Sequence, residues 1–319
     1  MSAAIEARGL RKTFVRREAI GRFRRRRVET PAVHGIDLTV EAGEMVGYIG
    51  PNGAGKSTTI KMMTGILQPS AGELRVAGLV PLAQRRALAG RIGVVFGQRS
   101  TLWWDLALRD TFDLLRHVYR VPPDRHRRNV AFYTELFDLG PLLGVPVRQL
   151  SLGQRMRAEI AAALLHDPEV LFLDEPTIGL DVVSKLRVRE ALATMNAERQ
   201  VTVVLTTHDL ADVEELCRRL VIIDHGLVIF DDELVELRRR FGDERTLVVD
   251  LERPADPLAA PGITWFRSEG PRQWLRFAPS TMSASEAIAR VSAITPIRDL
   301  AIEEPEIEEL VRRIYEGEV

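Results

Sequence analysis

One stretch constrains this chain more than any other: Gly50, Pro51, Asn52, Gly53, Ala54, Gly55, Lys56, Ser57 and Thr58 in unbroken order. The apolar run "EMVGYIG" precedes it and the helix-like run "KSTTIKMMTGIL" follows. A glycine-rich turn between a strand and a helix lets successive backbone N–H groups point at one centre, and the helix start adds its positive dipole end. Lys56 supplies a flexible point charge for outer phosphates and Ser57 a hydroxyl for Mg²⁺. The strand–loop–helix context is the one a phosphate-binding loop requires. It points the chain to an α/β fold with a nucleoside triphosphate as the expected ligand and Mg²⁺ as the expected ion.

The rest of the first 231 residues agrees with that frame. "RIGVVFG", "EVLFLDE", "VTVVLTTH" and "RLVIID" are compact apolar runs of the kind that form strands buried on both faces. They alternate with helical patterns such as "MRAEIAAALLH", which implies a mainly parallel sheet with helices on both sides. "LVIIDHGLVIFD" reads as a hairpin turning at His225 and Gly226. Residues 16–31, including the basic run from Arg22 to Arg27, read as an insertion between two early strands. Residues 101–150 read as mostly helical. Beyond Arg240, "TLVVDLE", "ITWFRSE" and "WLRFAP" suggest short strands and "SASEAIARVSA" a helix opened by Ser283 and Glu286. A last helix carries Ile307, Leu310, Val311 and Ile314 as one apolar stripe. The expected division is 1–242 for a first domain, with a helical part at about 100–165, and 243–319 for a small α+β second domain.

Composition narrows the classes. With 45% apolar residues a sizeable core is available, so disorder is not the default. The net charge of -1 argues against a wholesale nucleic-acid binder, and no nucleic-acid partner is expected. No apolar run approaches the roughly 20 residues that span a bilayer, so the chain reads as soluble or peripheral. Cys217 is the only cysteine, which precludes an internal disulfide.

"VLFLDEP" ends a buried strand in two acids, Asp174 and Glu175. Adjacent strand residues face opposite ways, so different jobs are expected of them. An acid at the end of a strand beside the phosphate-loop strand can hold Mg²⁺, and the next can orient and deprotonate water. "QLSLGQR" contains Ser151 and Gln154 at capping-box spacing before an apolar run, a helix start.

Taken together, residues 5–231 resemble the nucleotide-binding subunit of ATP-binding-cassette transporters. Residues 50–58 match the family's Walker A loop and residues 170–175 its Walker B, with Glu175 as catalytic glutamate. Gln98 in "VFGQRS" matches the Q-loop, "GLD" ending at Asp181 the D-loop, and His208 in "LTTHDL" the switch histidine. Phe14 in "LRKTF" lies where the family stacks an aromatic on adenine; a core aromatic is the alternative. The resemblance implies a mainly parallel core sheet with an antiparallel β subdomain and a helical subdomain. It gives Glu175, His208, Lys56 and Gln98 catalytic roles, with Ser57, Gln98 and Asp174 at Mg²⁺. It also brings Ser151, Gly153, Gln154 and Asp181 to nucleotide held by the opposite subunit.

"LSLGQR" departs from the family pattern at Leu152, a branched side chain where such loops prefer glycine. Together with "TIGLDVV" it resembles a subgroup of bacterial ABC-2-type exporter ATPases. Leu152 is expected to point away from the nucleotide. The implied setting is a peripheral subunit on the cytoplasmic face of a bacterial inner membrane, paired head to tail with a second copy or a similar ATPase, and working with ABC-2-type transmembrane permease subunits. A soluble cassette ATPase acting on a nucleic-acid or ribosomal partner is the alternative. Trp103 and Trp104 read either as anchors for a permease helix or as core. The arginine run reads as a solvated charge cluster, or as a contact for anionic lipid or permease.

Overall fold

A computed structural model describes residues 3–19, 25–97, 100–242 and 244–316. The chain divides into two compact units, Met1–Asp231 and Asp232–Val319.

Three layers build the first unit. Strands β1 (Ala3–Ala19), β2 (Arg25–Glu41) and β4 (Ala71–Val76) form an antiparallel sheet in the order β2-β1-β4. Strands β3 (Met45–Ile49), β5 (Ile92–Phe96), β6 (Val170–Asp174), β7 (Thr202–Thr206), β8 (Arg219–Asp224) and β9 (Leu227–Glu233) form the second sheet, in the order β5-β6-β7-β3-β8-β9. From β5 to β8 its pairs are parallel. The continuous apolar runs of β3, β6 and β7 are buried on both faces, as parallel strands between helices should be. Ile5, Leu10, Ile36 and Val40 of the antiparallel sheet share one core with Tyr48, Phe172, Val204 and Ile223 of the parallel sheet. Helix α1 (Lys56–Met63) enters that core through Ile60, Met62 and Met63. This packing fixes the phosphate loop, because both its flanking elements are buried.

Helix α2 (Arg85–Ala89) precedes β5. The helical part consists of α3 (Leu108–Tyr119), α4 (Pro123–Leu136) and α5 (Leu152–Leu164) with two short 3₁₀ turns. Pro123 opens α4 at a position where its missing N–H costs nothing. Helices α6 (Val182–Arg199) and α7 (Leu210–Leu216) complete the unit. The β8–β9 hairpin turns at His225 (φ 44) and Gly226 (φ 76), the two positive φ values of a tight hairpin turn.

Two expectations about this unit are corrected. Residues 16–31 are not an insertion between strands: β1 and β2 pair onward from Arg16–Val28 to Ala19–Arg25 as one long hairpin arm. Charged side chains on both strands hide the period-two pattern there. Residues 22–24 of the arginine run lie outside the described residues, while Arg26 and Arg27 are exposed and Arg27 pairs with Glu29 at 2.7 Å. The second correction concerns β6, which does not lie beside β3, since β7 runs between them.

In the second unit, helix α8 (Leu234–Phe241) leads into a four-stranded sheet, β11-β12-β10-β13. Its strands are β10 (Arg245–Leu251), β11 (Ile263–Glu269), β12 (Arg272–Phe277) and β13 (Ile297–Glu303), all paired antiparallel. Helix α9 (Ala284–Ser292) packs Ala287 and Val291 on Leu247, Val249 and Leu275. Ser283 accepts from the Glu286 N–H, while the Glu286 carboxylate turns to Arg290 instead of closing the box. Helix α10 (Ile307–Glu316) buries the expected stripe of Ile307, Leu310, Val311 and Ile314. Helix α8 belongs to this unit, ahead of the expected division at 242, because it packs against α10 and buries Leu234 and Leu237.

Candidate nucleotide site

The phosphate loop is shaped by glycines whose side chains have nowhere to go. Gly55 caps α1 at φ 110, and a Cβ there would meet the Ala32 carbonyl oxygen at 2.7 Å. A Cβ on Gly50 would meet the Ile223 carbonyl oxygen at 2.2 Å. No side chain caps α1, so its first N–H groups remain available to an anion. Lys56 is buried and its ammonium donates to the carbonyls of Gly50 and, at 3.1 Å, Pro51. Those two carbonyls occupy the amine in the place where phosphate oxygens would be its partners. Burial lowers the Lys56 pKa below the usual lysine range, and the charges of Glu175 and Asp174 only partly offset that. Pro51, Asn52, Gly53 and Ser57 are exposed on the loop, Ala54 is buried and Thr58 half-buried.

Asp174 and Glu175 have different neighbours. The Asp174 carboxylate accepts from Thr206 Oγ1 at 2.5 Å, so it is aligned by the strand next to its own. Glu175 sits in the left-handed region at φ 57, off the end of β6, where its N–H donates to the Thr206 carbonyl at 2.9 Å. A non-glycine residue there stores strain of about 1–3 kcal/mol, which surrounding bonds must hold. The strained turn aims the carboxylate at His208, with Glu175 Oε1 and His208 Nε2 2.7 Å apart. Lys56, Asp174, Glu175 and His208 thus converge from three strand ends on one edge of the sheet.

Gln98 lies outside the described residues. Its neighbour Gly97 is pressed on the acid pair: its N–H donates to Asp174 O at 2.8 Å, and a Cβ would meet Glu175 O at 2.8 Å. The buried Glu159 carboxylate of α5 receives Ser100 Oγ, the Thr101 N–H at 3.0 Å and Thr101 Oγ1 at 2.5 Å.

Ser151 caps α5 with a complete capping box. Its hydroxyl accepts from Gln154 N at 3.2 Å, and Gln154 Oε1 accepts from Ser151 N at 2.9 Å. A Cβ on Gly153 would meet Ser184 Oγ at 2.4 Å, so glycine is needed for α5 to approach the start of α6. Leu152 lies against Gly179, where a Cβ would meet its Cδ2 at 3.3 Å. Asp181 caps α6, accepting from the Ser184 N–H at 2.9 Å and Oγ at 2.6 Å, bonds that hold its carboxyl below the usual range. Phe14 is 38% exposed on β1 with Lys12 Nζ 5.3 Å from its ring centroid, so it is not a core aromatic. Trp103 and Trp104 are 41% and 51% exposed, which removes the core-packing reading of that pair.

Residues 33–178 match the ABC transporter family model. The chain is 36% identical over 218 residues to a daunorubicin resistance ATP-binding protein of Streptomyces coeruleorubidus, covering 68% of each chain. This chain belongs to the ATP-binding proteins of ABC transporters. It is also 34% identical over 258 residues to the Nod factor export ATP-binding protein I of Ralstonia nicotianae, covering 76% of this chain and 78% of that one. Among solved structures it is similar to a dimeric ATP-binding cassette in a post-hydrolysis state with ADP and Pi (TM-score 0.61, 26% identity, 72% of this chain and 98% of that one). The first unit is an ABC ATPase fold, and the family chemistry it carries is ATP binding and hydrolysis.

Sequence reasoning missed several polar residues around this ABC ATPase site. Thr177, Arg189, Thr207 and Asp212 form a buried network beside the Glu175–His208 pair, and Glu159 ties α5 to the segment after Gln98. Only Thr177 and Thr207 carried a local signal, as hydroxyls adjoining recognised motifs.

Proposed function

We propose that this chain is the ATP-hydrolysing subunit of an ABC-2-type membrane exporter, acting as a head-to-tail pair of copies on separate permease chains. The observation that carries the catalytic part is the 2.7 Å Glu175–His208 contact at the strand ends, beside buried Lys56. Glu175 would take the proton of the attacking water. His208 holds that carboxylate in position and contributes a polar group to the transferring phosphoryl. Lys56 exchanges its bonds to Gly50 and Pro51 for bonds to the outer phosphates.

Ser57 and Asp174, with Gln98, would hold Mg²⁺. Among the described residues no group of three or more His, Cys, Asp or Glu side chains could cage a metal ion, and an ion shared with ATP phosphates needs only one or two carboxylates, here Asp174. When bound, Mg²⁺ supplies charge neutralisation on the phosphate oxygens. Ser151 of one copy would leave its cap and donate to the γ-phosphate over the other copy's Lys56. Phe14, exposed on β1, would stack on adenine.

No described helix is long and apolar enough to cross a membrane, so permeation is assigned to partner chains. Exposed Trp103 and Trp104 are the anchors proposed for a permease helix, since aromatics carry much of the energy at such contacts. Reconstituting the chain with its permease in inverted vesicles tests the whole reading. ATP-dependent substrate accumulation that is lost with Glu175→Gln supports it; substrate leaving the vesicles overturns export.

A further inference from the structure

Asp212 on α7 is 0% exposed, yet it is a carboxylate. It is satisfied from three directions. Oδ1 accepts from Arg189 Nε of α6 at 2.6 Å. Oδ2 accepts from Thr207 Oγ1 at 2.9 Å and also from Thr177 Oγ1. Thr177 and Thr207 are buried as well, and Arg189 reaches on to Glu215 at 3.0 Å and Asp209 at 3.5 Å. A buried charge with a guanidinium partner and two hydroxyl donors is a rigid junction, because losing any arm strands the others in a low dielectric.

The arms end where the chemistry begins. Thr207 directly precedes His208, and Thr177 follows Glu175 after one proline. Glu175 occupies the strained left-handed turn at φ 57, and Thr207 is the first residue past β7. One carboxylate therefore fastens the exits of β6 and β7 to each other, through a threonine just after Glu175 and a threonine just before His208. The other fastenings there, Thr206 Oγ1 to Asp174 and Glu175 N to Thr206 O, lie on the near side of Glu175. Asp209 also holds to Lys185 and Arg189 there, and the Ile178 N–H donates to Glu175 O at 3.3 Å, but among the described residues only Asp212 accepts from hydroxyls on both strand exits.

We propose that Asp212, through Thr177 and Thr207, is a positioning residue that sets the Glu175–His208 distance for ATP hydrolysis. The proposal rests on the catalytic roles assigned above to Glu175 and His208. Because Asp212→Ala would strip Arg189 of its buried partner and open a cavity, the test uses shape-preserving changes at the arms. Thr177→Val and Thr207→Val should each lower kcat about tenfold, as a displacement well under an ångström at a catalytic pair does. The KM for ATP should move less than about twofold, and Thr177→Ser and Thr207→Ser, which keep the hydroxyl, should restore kcat.

A double-mutant cycle isolates the route. In a His208→Ala background, whose residual rate rests on Glu175, Thr207→Val should cost less than about twofold more. Unchanged kcat in the Val variants overturns the proposal. So does a matching loss in the Ser variants, or full multiplication of the two losses in the cycle. If Glu175→Gln and His208→Ala both hydrolyse ATP like wild type, the catalytic reading itself falls and the junction with it.

Discussion

Two helix starts in the same unit deal with their free N–H groups in opposite ways. At α1 the cap is Gly55, which offers no side chain, and the nearby lysine waits on carbonyls of its own loop. At α5 Ser151 and Gln154 satisfy each other's backbone in a closed capping box. The first start is open to an anion without rearrangement. The second must give up a hydrogen bond, worth about 1 kcal/mol, before its serine can reach a phosphate. The difference teaches an order of events: nucleotide binds first at residues 50–58 of one copy, and the residue 151 loop engages only when a second copy brings the compensating contacts.

The largest expected effect separates binding from turnover. Glu175→Gln should lower kcat by about 10³-fold while leaving the ATP affinity of the separate chain unchanged, read by steady-state hydrolysis and by titration calorimetry. A parallel loss of affinity would place Glu175 in binding and erase the division of labour.

Next in size is a pH effect on the helix that Ser151 opens. His166, just past the end of α5, is buried, stacks on Tyr119 with ring centroids 3.9 Å apart, and donates Nε2–H to Ile92 O at 3.0 Å. Burial pushes its pKa down to about 4. Below the unfolded pKa of about 6.5 the unfolded chain binds a proton that the folded chain refuses, so stability falls as pH drops from 6.5 towards 4. The loss from His166 over that window is about 3 kcal/mol, and denaturant melts with wild type and His166→Gln would show a slope shallower by that amount in the variant. An unchanged slope would contradict it.

Gly55→Ala sharpens the comparison from the open side. The new Cβ meets Ala32 O in a backbone region that alanine resists, so α1 must shift. At about 1–3 kcal/mol of strain, ATP affinity should drop about 5- to 150-fold. Ser151→Ala gives the smallest effect and the mirror image. It should cost about 1 kcal/mol of stability and leave ATP affinity of the separate chain intact, while hydrolysis falls. If Ser151→Ala weakens ATP binding as Gly55→Ala does, the two helix starts serve the same nucleotide within one chain.

What could be read from sequence follows the range of the interaction. The phosphate loop was legible because glycines, Lys56 and the flanking periodicities are neighbours in the chain. The capping box at Ser151 and Gln154 was legible for the same reason. Asp212 and Arg189 were not, because each is an ordinary charged residue on a helix until folding buries them 2.6 Å apart. The edge strands β4 and β13 escaped notice because they are largely exposed and lack a continuous apolar run. The arm of β1 and β2 reads as an insertion in the sequence because its residues are mostly charged and lack an apolar alternation.

The central claim is that one copy's Ser151 meets the nucleotide over another copy's residues 50–58. Cys217, the only cysteine, is buried, so exposed positions 52 and 151 give a clean background for cross-linking. Chains carrying Asn52→Cys should be mixed with chains carrying Ser151→Cys, both with Glu175→Gln, and oxidised with and without Mg²⁺-ATP. The account predicts a disulfide-linked dimer that forms with ATP and not without it. No dimer with ATP, together with a bond within single chains of the Asn52→Cys/Ser151→Cys double variant, would contradict it.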